Sequence, residues 1–246
     1  DHSVDNAVAY VKETIAALLQ NKVDISLLII TKSLSAKSED YAAKQAHVAL
    51  AERMRQRDAG SAPVVGDRVP YVMIQKEKGA KAYEKSEDPI FVLEHNLAID
   101  FDYYLHNQLA KPLLRLFESI LPNPEVLLHG DHTRKVYKAT PSSNAGIMRF
   151  AVKKATCLGC KAPIPNGGLC PNCEKNRESL FLNRLGEANE LESRFARLWT
   201  QCQRCQGSLH QDVLCTSRDC PIFYMRKKVQ KDLAEVQEKI ERFADF

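Results

Sequence analysis

Eight cysteines, all inside two short stretches of a 246-residue chain, restrict its fold more than any other feature. The first stretch, "CLGCKAPIPNGGLCPNC" (157–173), reads Cys157-x-x-Cys160, nine residues, then Cys170-x-x-Cys173. The second, "CQRCQGSLHQDVLCTSRDC" (202–220), reads Cys202-x-x-Cys205, nine residues, then Cys215 and Cys220 with four residues between them. Cysteines two residues apart make poor framework disulfides, and that spacing recurs three times. No secretory signal opens the chain, so a reducing cytosol or nucleus is its expected surrounding. Metal ligation is the expected use of all eight sulfurs.

Each C-x-x-C turn aims two thiolates at one ion, and two turns complete the tetrahedron that Zn²⁺ accepts. Cys157, Cys160, Cys170 and Cys173 are therefore read as one zinc site, with Gly159, Pro163, Gly167 and Gly168 suiting its tight turns. Four sulfurs leave no open position, so the site is structural and replaces a hydrophobic core locally. At 215–220 a second C-x-x-C turn cannot form, and the fourth sulfur must come from a wider loop. Spacing alone leaves zinc and a larger iron–sulfur cluster both open for Cys202, Cys205, Cys215 and Cys220. His129, His132 and His210 read as surface or loop residues rather than ligands.

The net charge of +4 is unevenly placed: residues 151–246 hold 16 Lys+Arg against 12 Asp+Glu, while the first 150 balance at 19 of each. The longest apolar run, Ile25–Ile30 broken by Ser26, is far too short to span a bilayer. A start at Asp1 rather than at methionine points to a piece of a longer protein. Neither a Gly-rich phosphate loop nor paired carboxylates in an acid/base setting, nor a Ser/His/Asp arrangement, can be found. A complete active site is not expected here.

Periodicity predicts a mainly α fold with short β elements. A helix is expected over 3–20, a buried strand or connection in "DISLLIITKSLS", and a helix over 40–60 stopped by Gly60. "RVPYVMI" alternates as a strand that Pro70 should confine to an edge or to its first residues. The helical pattern at 99–121 is capped by Asp100 and kinked or divided by Pro112. Beyond the first cysteine stretch, a long helix should end where the second stretch begins. After that stretch comes a terminal helix whose stripe of Phe223, Val229, Leu233, Val236 and Ile240 is expected to meet a partner, with packing on the preceding helix as the alternative.

The segments "DISLLIITKSLS", "YAAKQAHVALAERMRQRDAGSAPVVGDRVPYV", "SEDPIFVLEHNLAIDFDYYLHNQLAKPLLRLFE" and "LWTQCQRCQGSLHQDVLCTSRDCPIFYMRKKV" resemble the C-terminal part of the catalytic subunits of eukaryotic family B replicative DNA polymerases of the delta class. The resemblance covers essentially the whole chain: 1–140 resemble a polymerase thumb, 141–155 a linker, and 156–246 the cysteine-rich C-terminal domain. It implies a thumb gripping primer–template duplex, a zinc module linked to sliding-clamp (PCNA) function, and a 4Fe–4S cluster in the second module that docks the B-subunit and other accessory subunits. It also implies a nuclear enzyme whose polymerase and 3′–5′ exonuclease motifs precede Asp1, with no membrane partner.

Within that frame Asn144, Ile147 and Phe150 fit the offsets of a clamp-binding box, although Ala151 stands where a second aromatic is usual. Lys153 and Lys154 would add electrostatic attraction to the clamp or DNA. The resemblance further points to Lys32 and Arg68 as phosphate contacts, with backbone amides near Gly66 assisting. The alternative is a free-standing zinc-binding adaptor without polymerase activity.

Overall fold

The computed structural model describes residues 3–36, 40–77, 79–135, 155–165 and 168–244. Contacts divide the chain into two compact units, Asp1–Thr140 and Pro141–Phe246. Helices dominate both, with short strands, as the periodicity predicts. The proposed clamp-binding residues Asn144, Ile147 and Phe150, and the neighbouring Lys153 and Lys154, lie outside the described residues.

In the first unit, α1 (Val4–Leu19) begins where the Ser3 side chain accepts from the Asn6 amide. Only its second half is buried, through Ile15, Leu18 and Leu19. A 3₁₀ turn (Ile25–Leu27) capped by Asp24 leads into β1 (Ile30–Ser33), so the apolar run is a turn and a strand together. Helix α2 covers Ala46–Arg57, shorter than its pattern suggests. It stops before Gly60 because the Asp58 carboxylate accepts from the Gly60 amide at 3.0 Å, offering the backbone a local turn in place of helix.

β2 (Arg68–Met73) runs antiparallel to β1 and then to β3 (Ser86–Glu87), giving the sheet order β1-β2-β3. Pro70 thus lies in the central strand rather than an edge strand, but within its first three residues, the other placement expected for it. The register explains the tolerance: Pro70 faces Thr31 of β1, while β3 joins only at Val72 and Met73. At Pro70 the ladder has one neighbour, so the missing N–H breaks no second row.

α3 (Ala82–Lys85) lies between β2 and β3, and α4 (Pro89–His95) follows β3. Next, α5 (Phe101–Tyr103) passes through a π-form segment (Tyr104–Leu109) into α6 (Ala110–Phe117). The helical run is thus divided by a π-form segment, and the first turn of α6 holds Pro112. The proline lacks a donor for the carbonyl one turn back, and the widened turn immediately before it relieves that clash: the Ala110 amide reaches the Leu105 carbonyl, five residues back.

Polar links lock this unit around its apolar core. Glu87, buried at 5 % exposure, takes a bidentate pair from Arg57 at 2.9 and 2.8 Å. The Arg57 guanidinium also stacks 3.8 Å above the Phe91 ring. Lys85 pairs with Asp100 at 2.9 Å, and Asp100 caps α5 through the Tyr103 amide. Tyr104 is buried, which raises its phenol above the ordinary range, and its oxygen accepts from the Met73 amide at 2.9 Å.

In the second unit β4 (Ala155–Thr156) pairs with β5 (Pro163–Ile164), and α7 (Pro171–Glu174) closes the first cysteine stretch. α8 (Arg177–Gln206) and α9 (Pro221–Ala244) pack along each other as a hairpin. α8 does not end where the second cysteine stretch begins: it runs through Cys202 and Cys205. "TQCQRCQ" contains no breaker, and the first one is Gly207, whose φ of +82° ends the helix in the left-handed region. On α9, Phe223, Val229 and Val236 are buried and Leu233 and Ile240 half-buried in the hairpin with α8, so the stripe follows the alternative expectation, packing on the preceding helix.

Replacing Tyr104 by Phe leaves the buried Met73 N–H without its acceptor. The substitution should destabilise the first unit by about 1–3 kcal/mol in urea unfolding. A loss under about 0.3 kcal/mol would show that this link does not hold helix to sheet.

Candidate metal centres

The four thiols of Cys157, Cys160, Cys170 and Cys173 converge, with their sulfurs all within 4.8 Å of one another. They form the one such gathering of three or more ligating groups among the described residues. Backbone geometry delivers them. The Cys157 amide donates to the Ala162 carbonyl at 2.8 Å, and the Lys161 amide returns to the Cys157 carbonyl at 3.0 Å. Lys161 adopts φ +61°, which turns the chain sharply after the first pair of sulfurs. Across the site the Leu158 amide reaches the Gly168 carbonyl at 2.9 Å, and Cys170 caps α7 with Pro171 at its first position.

Gly159 is needed for closeness: a Cβ there would sit 2.8 Å from the Cys173 sulfur and 3.0 Å from a Leu180 methyl. The sulfurs of Cys160 and Cys170 approach to 3.6 Å, near the ~3.8 Å edge of a tetrahedron with Zn–S bonds of about 2.3 Å.

Charge is distributed unequally over these sulfurs. Burial opposes ionisation of Cys157, but amide donors from Cys170, Cys160 and Gly159, together with the Cys170 thiol, outweigh it and hold the group down at about 6. Cys173 is pushed up to about 12, first by the Cys170 thiol, then by burial and by Cys157 and Cys160. The Cys157 thiolate is thus favoured by its amides, while ionisation of Cys173 is opposed and would gain from a cation among the sulfurs. The donor set and the spacing fit a thiophilic tetrahedral ion.

Cys202, Cys205, Cys215 and Cys220 are arranged differently. Cys202 and Cys205 project from the last turns of α8, one buried and one exposed, rather than from a knuckle turn. Cys215 lies on the connecting loop, and Cys220 stands immediately before α9. Their sulfurs do not gather as the first four do, yet they share one neighbourhood. Burial raises the Cys202 thiol, Arg226 pulls it down, and Cys220, Cys215 and Cys205 each push it up further.

The helices hold the loop. The Gln203 and Gln206 side-chain amides donate to the Gln211 and Asp212 carbonyls at 2.9 and 3.0 Å. Tyr224 donates to the Arg218 carbonyl at 2.8 Å, and Arg226 donates to that of Cys215 at 2.9 Å. All eight cysteines are free thiols. His132 bonds the Leu127 carbonyl at 2.8 Å, far in sequence from either cysteine group.

Sequence reasoning missed Arg226. Its side chain is only 4 % exposed, and its Nη1 is buried without a hydrogen-bond partner. The signal was present: residue 226 falls on the apolar stripe of α9, between Phe223 and Val229. A charge on a buried stripe needs a reason.

Lys32, Arg68 and Gly66 lie together at one end of the β1–β2 pair, where Lys32 faces Val69 and Arg68 faces Ser33. Lys32 and Arg68 are exposed. The Gly66 amide, however, donates to the Leu34 carbonyl at 2.8 Å, and the residue adopts φ +102°. It shapes the turn and has no free donor for a phosphate.

Comparison with known proteins fits both units. The family profile "DNA polymerase family B" matches residues 1–120, and "C4-type zinc-finger of DNA polymerase delta" matches 157–226. The chain is thus polymerase sequence joined to a four-cysteine finger. It is 62 % identical to a DNA polymerase delta catalytic subunit of Oryza sativa subsp. japonica over 100 % of its length, and 59 % identical over 100 % to that of Schizosaccharomyces pombe. To the Bos taurus subunit it is 55 % identical over 99 %. The chain belongs to the DNA polymerase delta catalytic subunit family. It spans 22 %, 23 % and 22 % of those three relatives. A free-standing adaptor is not favoured.

Replacing Gly159 by Ala forces the Cys173 sulfur to move. Zinc affinity, measured by competition with a chromophoric chelator, should fall at least tenfold, about 1.4 kcal/mol. An affinity within twofold of the wild type would show that the knuckle yields at no cost.

Proposed function

We propose that this segment grips the newly made duplex and assembles the replicative enzyme, while polymerisation and 3′–5′ exonuclease chemistry belong to the rest of the longer protein. Residues 1–140 serve as the thumb, 141–155 as a linker with a clamp-binding box at Asn144, Ile147 and Phe150, and 156–246 as the assembly domain. The whole protein acts in the nucleus. Among the described residues, no helix is long and apolar enough to cross a membrane.

The observation that carries the reading is the contrast between the two cysteine groups. Cys157, Cys160, Cys170 and Cys173 hold one Zn²⁺ in a closed structural site, supported by sulfurs drawn within 4.8 Å. Cys202, Cys205, Cys215 and Cys220 hold a 4Fe–4S cluster. Support comes from their wider arrangement around one neighbourhood and from a buried arginine N–H lacking a partner beside them. A cluster is larger than one ion and takes ligands from a helix end and a loop together. Bound there, it would tie Cys215 and Cys220 to α8 and fix the loop whose Leu209 and Leu214 are 54 % and 84 % exposed. That loop is suited to the B-subunit and its accessory partners, since the α9 stripe is already covered.

On the first unit, Lys32 and Arg68 neutralise backbone phosphates, with the Gly66 turn holding the β1–β2 end in place. Such contacts position a duplex without reading its sequence.

Chemical analysis of the anaerobically purified chain should find one zinc, with about four iron and four acid-labile sulfide per chain. Two zinc ions without labile sulfide would remove the iron–sulfur half of the reading.

For the duplex contact, neutralising both Lys32 and Arg68 should flatten the plot of log affinity against log salt by about 1.8, from roughly 0.9 per phosphate contact. An unchanged slope would strike both residues from the interface.

A further inference from the structure

Arg226 poses a problem of charge. Its guanidinium is 4 % exposed, and among the described residues no carboxylate pairs with it. Nη2 donates to the Cys215 carbonyl at 2.9 Å. The cation lies 5.6 Å from the Trp199 ring centroid and 5.8 Å from that of Phe223, contacts that recover only part of a buried cation's lost hydration. Nη1 is buried with nothing to bond. An orphaned cationic N–H carries a desolvation cost that an acceptor beside it would offset.

The surroundings supply one. The guanidinium sits between α8 and α9, held by the carbonyl of one cysteine of the second group, with its charge felt at the thiol of another, Cys202. Four thiolates around an iron–sulfur core leave the assembly negatively charged, and its sulfurs accept hydrogen bonds. A buried anion and a buried unpaired N–H donor answer each other.

We propose that Arg226 is a positioning residue for an anionic iron–sulfur cluster on Cys202, Cys205, Cys215 and Cys220, donating through Nη1 to a cluster sulfur and holding the cluster's reduction potential up. This rests on the iron–sulfur reading of the second cysteine group. Through Nη2 the same side chain anchors the loop that delivers Cys215, so one residue orients a ligand and balances the charge it brings. Both a nearby cation and an N–H···S bond stabilise the more negative, reduced state, and their loss lowers the potential.

The full 246-residue chain, purified anaerobically, is compared with Arg226→Met and Arg226→Lys. Iron and labile sulfide in the wild-type chain come first: their absence overturns the iron–sulfur reading and this proposal with it. With the cluster present, dithionite titration followed by visible absorbance gives the potential. At the wild-type midpoint, the ratio of reduced to oxidised cluster should fall at least tenfold in Arg226→Met. For a one-electron couple that is a downward shift of about 59 mV. Arg226→Lys, which keeps the charge, should stay within about threefold of the wild type.

An Arg226→Met chain with full iron and sulfide at the wild-type potential overturns the proposal and leaves the iron–sulfur reading standing. If Arg226→Met cannot retain iron, Arg226→Lys decides. Iron held at a near wild-type potential supports the proposal. Iron lost from a chain of unchanged circular dichroism overturns it, because charge at this position would then not be what the cluster needs.

Discussion

Four sulfurs within 4.8 Å of one another cannot all carry negative charge unless a cation sits among them. The opposed shifts at Cys157 and Cys173 express that limit: amides favour the Cys157 thiolate, while neighbouring thiols and burial oppose ionisation of Cys173. The polypeptide around them has little else to fold on. Among the described residues between Ala155 and Glu174 the buried apolar side chains are Cys157 and Leu158, and the strands are two residues long. A metal–thiolate centre does there what a hydrophobic core does in the first unit, so the fold of the knuckle and the occupancy of its ligands are one equilibrium.

How much of this could be read from the sequence depended on whether the deciding force was local. The C-x-x-C spacing fixes two sulfurs within one turn, so the first site was legible residue by residue. Helix existence was legible too, because the apolar period reports a buried face. Boundaries were less so. α2 stops short because the Asp58 side chain captures the Gly60 amide, and α8 continues into the second cysteine group because nothing there opposes it. Pro70 and Pro112 were read by their general cost. The actual cost was set by a neighbouring strand absent at one register position, which is far from Pro70 in sequence, and by a π-form turn just before Pro112 that the apolar period does not distinguish from ordinary helix. Arg226 was hidden for a related reason: within "YMRKK" it looks like one of a basic run, and only its phase on the α9 stripe separates it from the lysines beside it.

The second unit is best understood as a strut with a cysteine group at each end. α8, at 30 residues, is about 45 Å long at 1.5 Å per residue. It starts just after Cys173 and carries Cys202 and Cys205 in its last turns, and α9 starts after Cys220 and returns along it. Each end is closed by an arginine on a backbone carbonyl: Arg177 donates to that of Phe243 at 2.8 Å, and Arg226 to that of Cys215 at 2.9 Å. Phe181 and Phe243 stack edge-on at the first end, and Trp199 and Phe223 flank Arg226 at the second.

This arrangement separates the two centres mechanically. Along the middle of α8 few side chains are fully buried, Ala188 and Cys202 being the buried residues of the whole helix. A narrow seam between two helices transmits bending poorly compared with a packed core, and interactions beyond the first turn or two of a helix end fall away quickly. Disorder at one cysteine group would therefore fray the nearest turns of the hairpin before it reached the other. Two sites on one chain can then answer to different partners, not because the chain has a hinge between them, but because the strut joining them is long, thin and pinned chiefly at its ends.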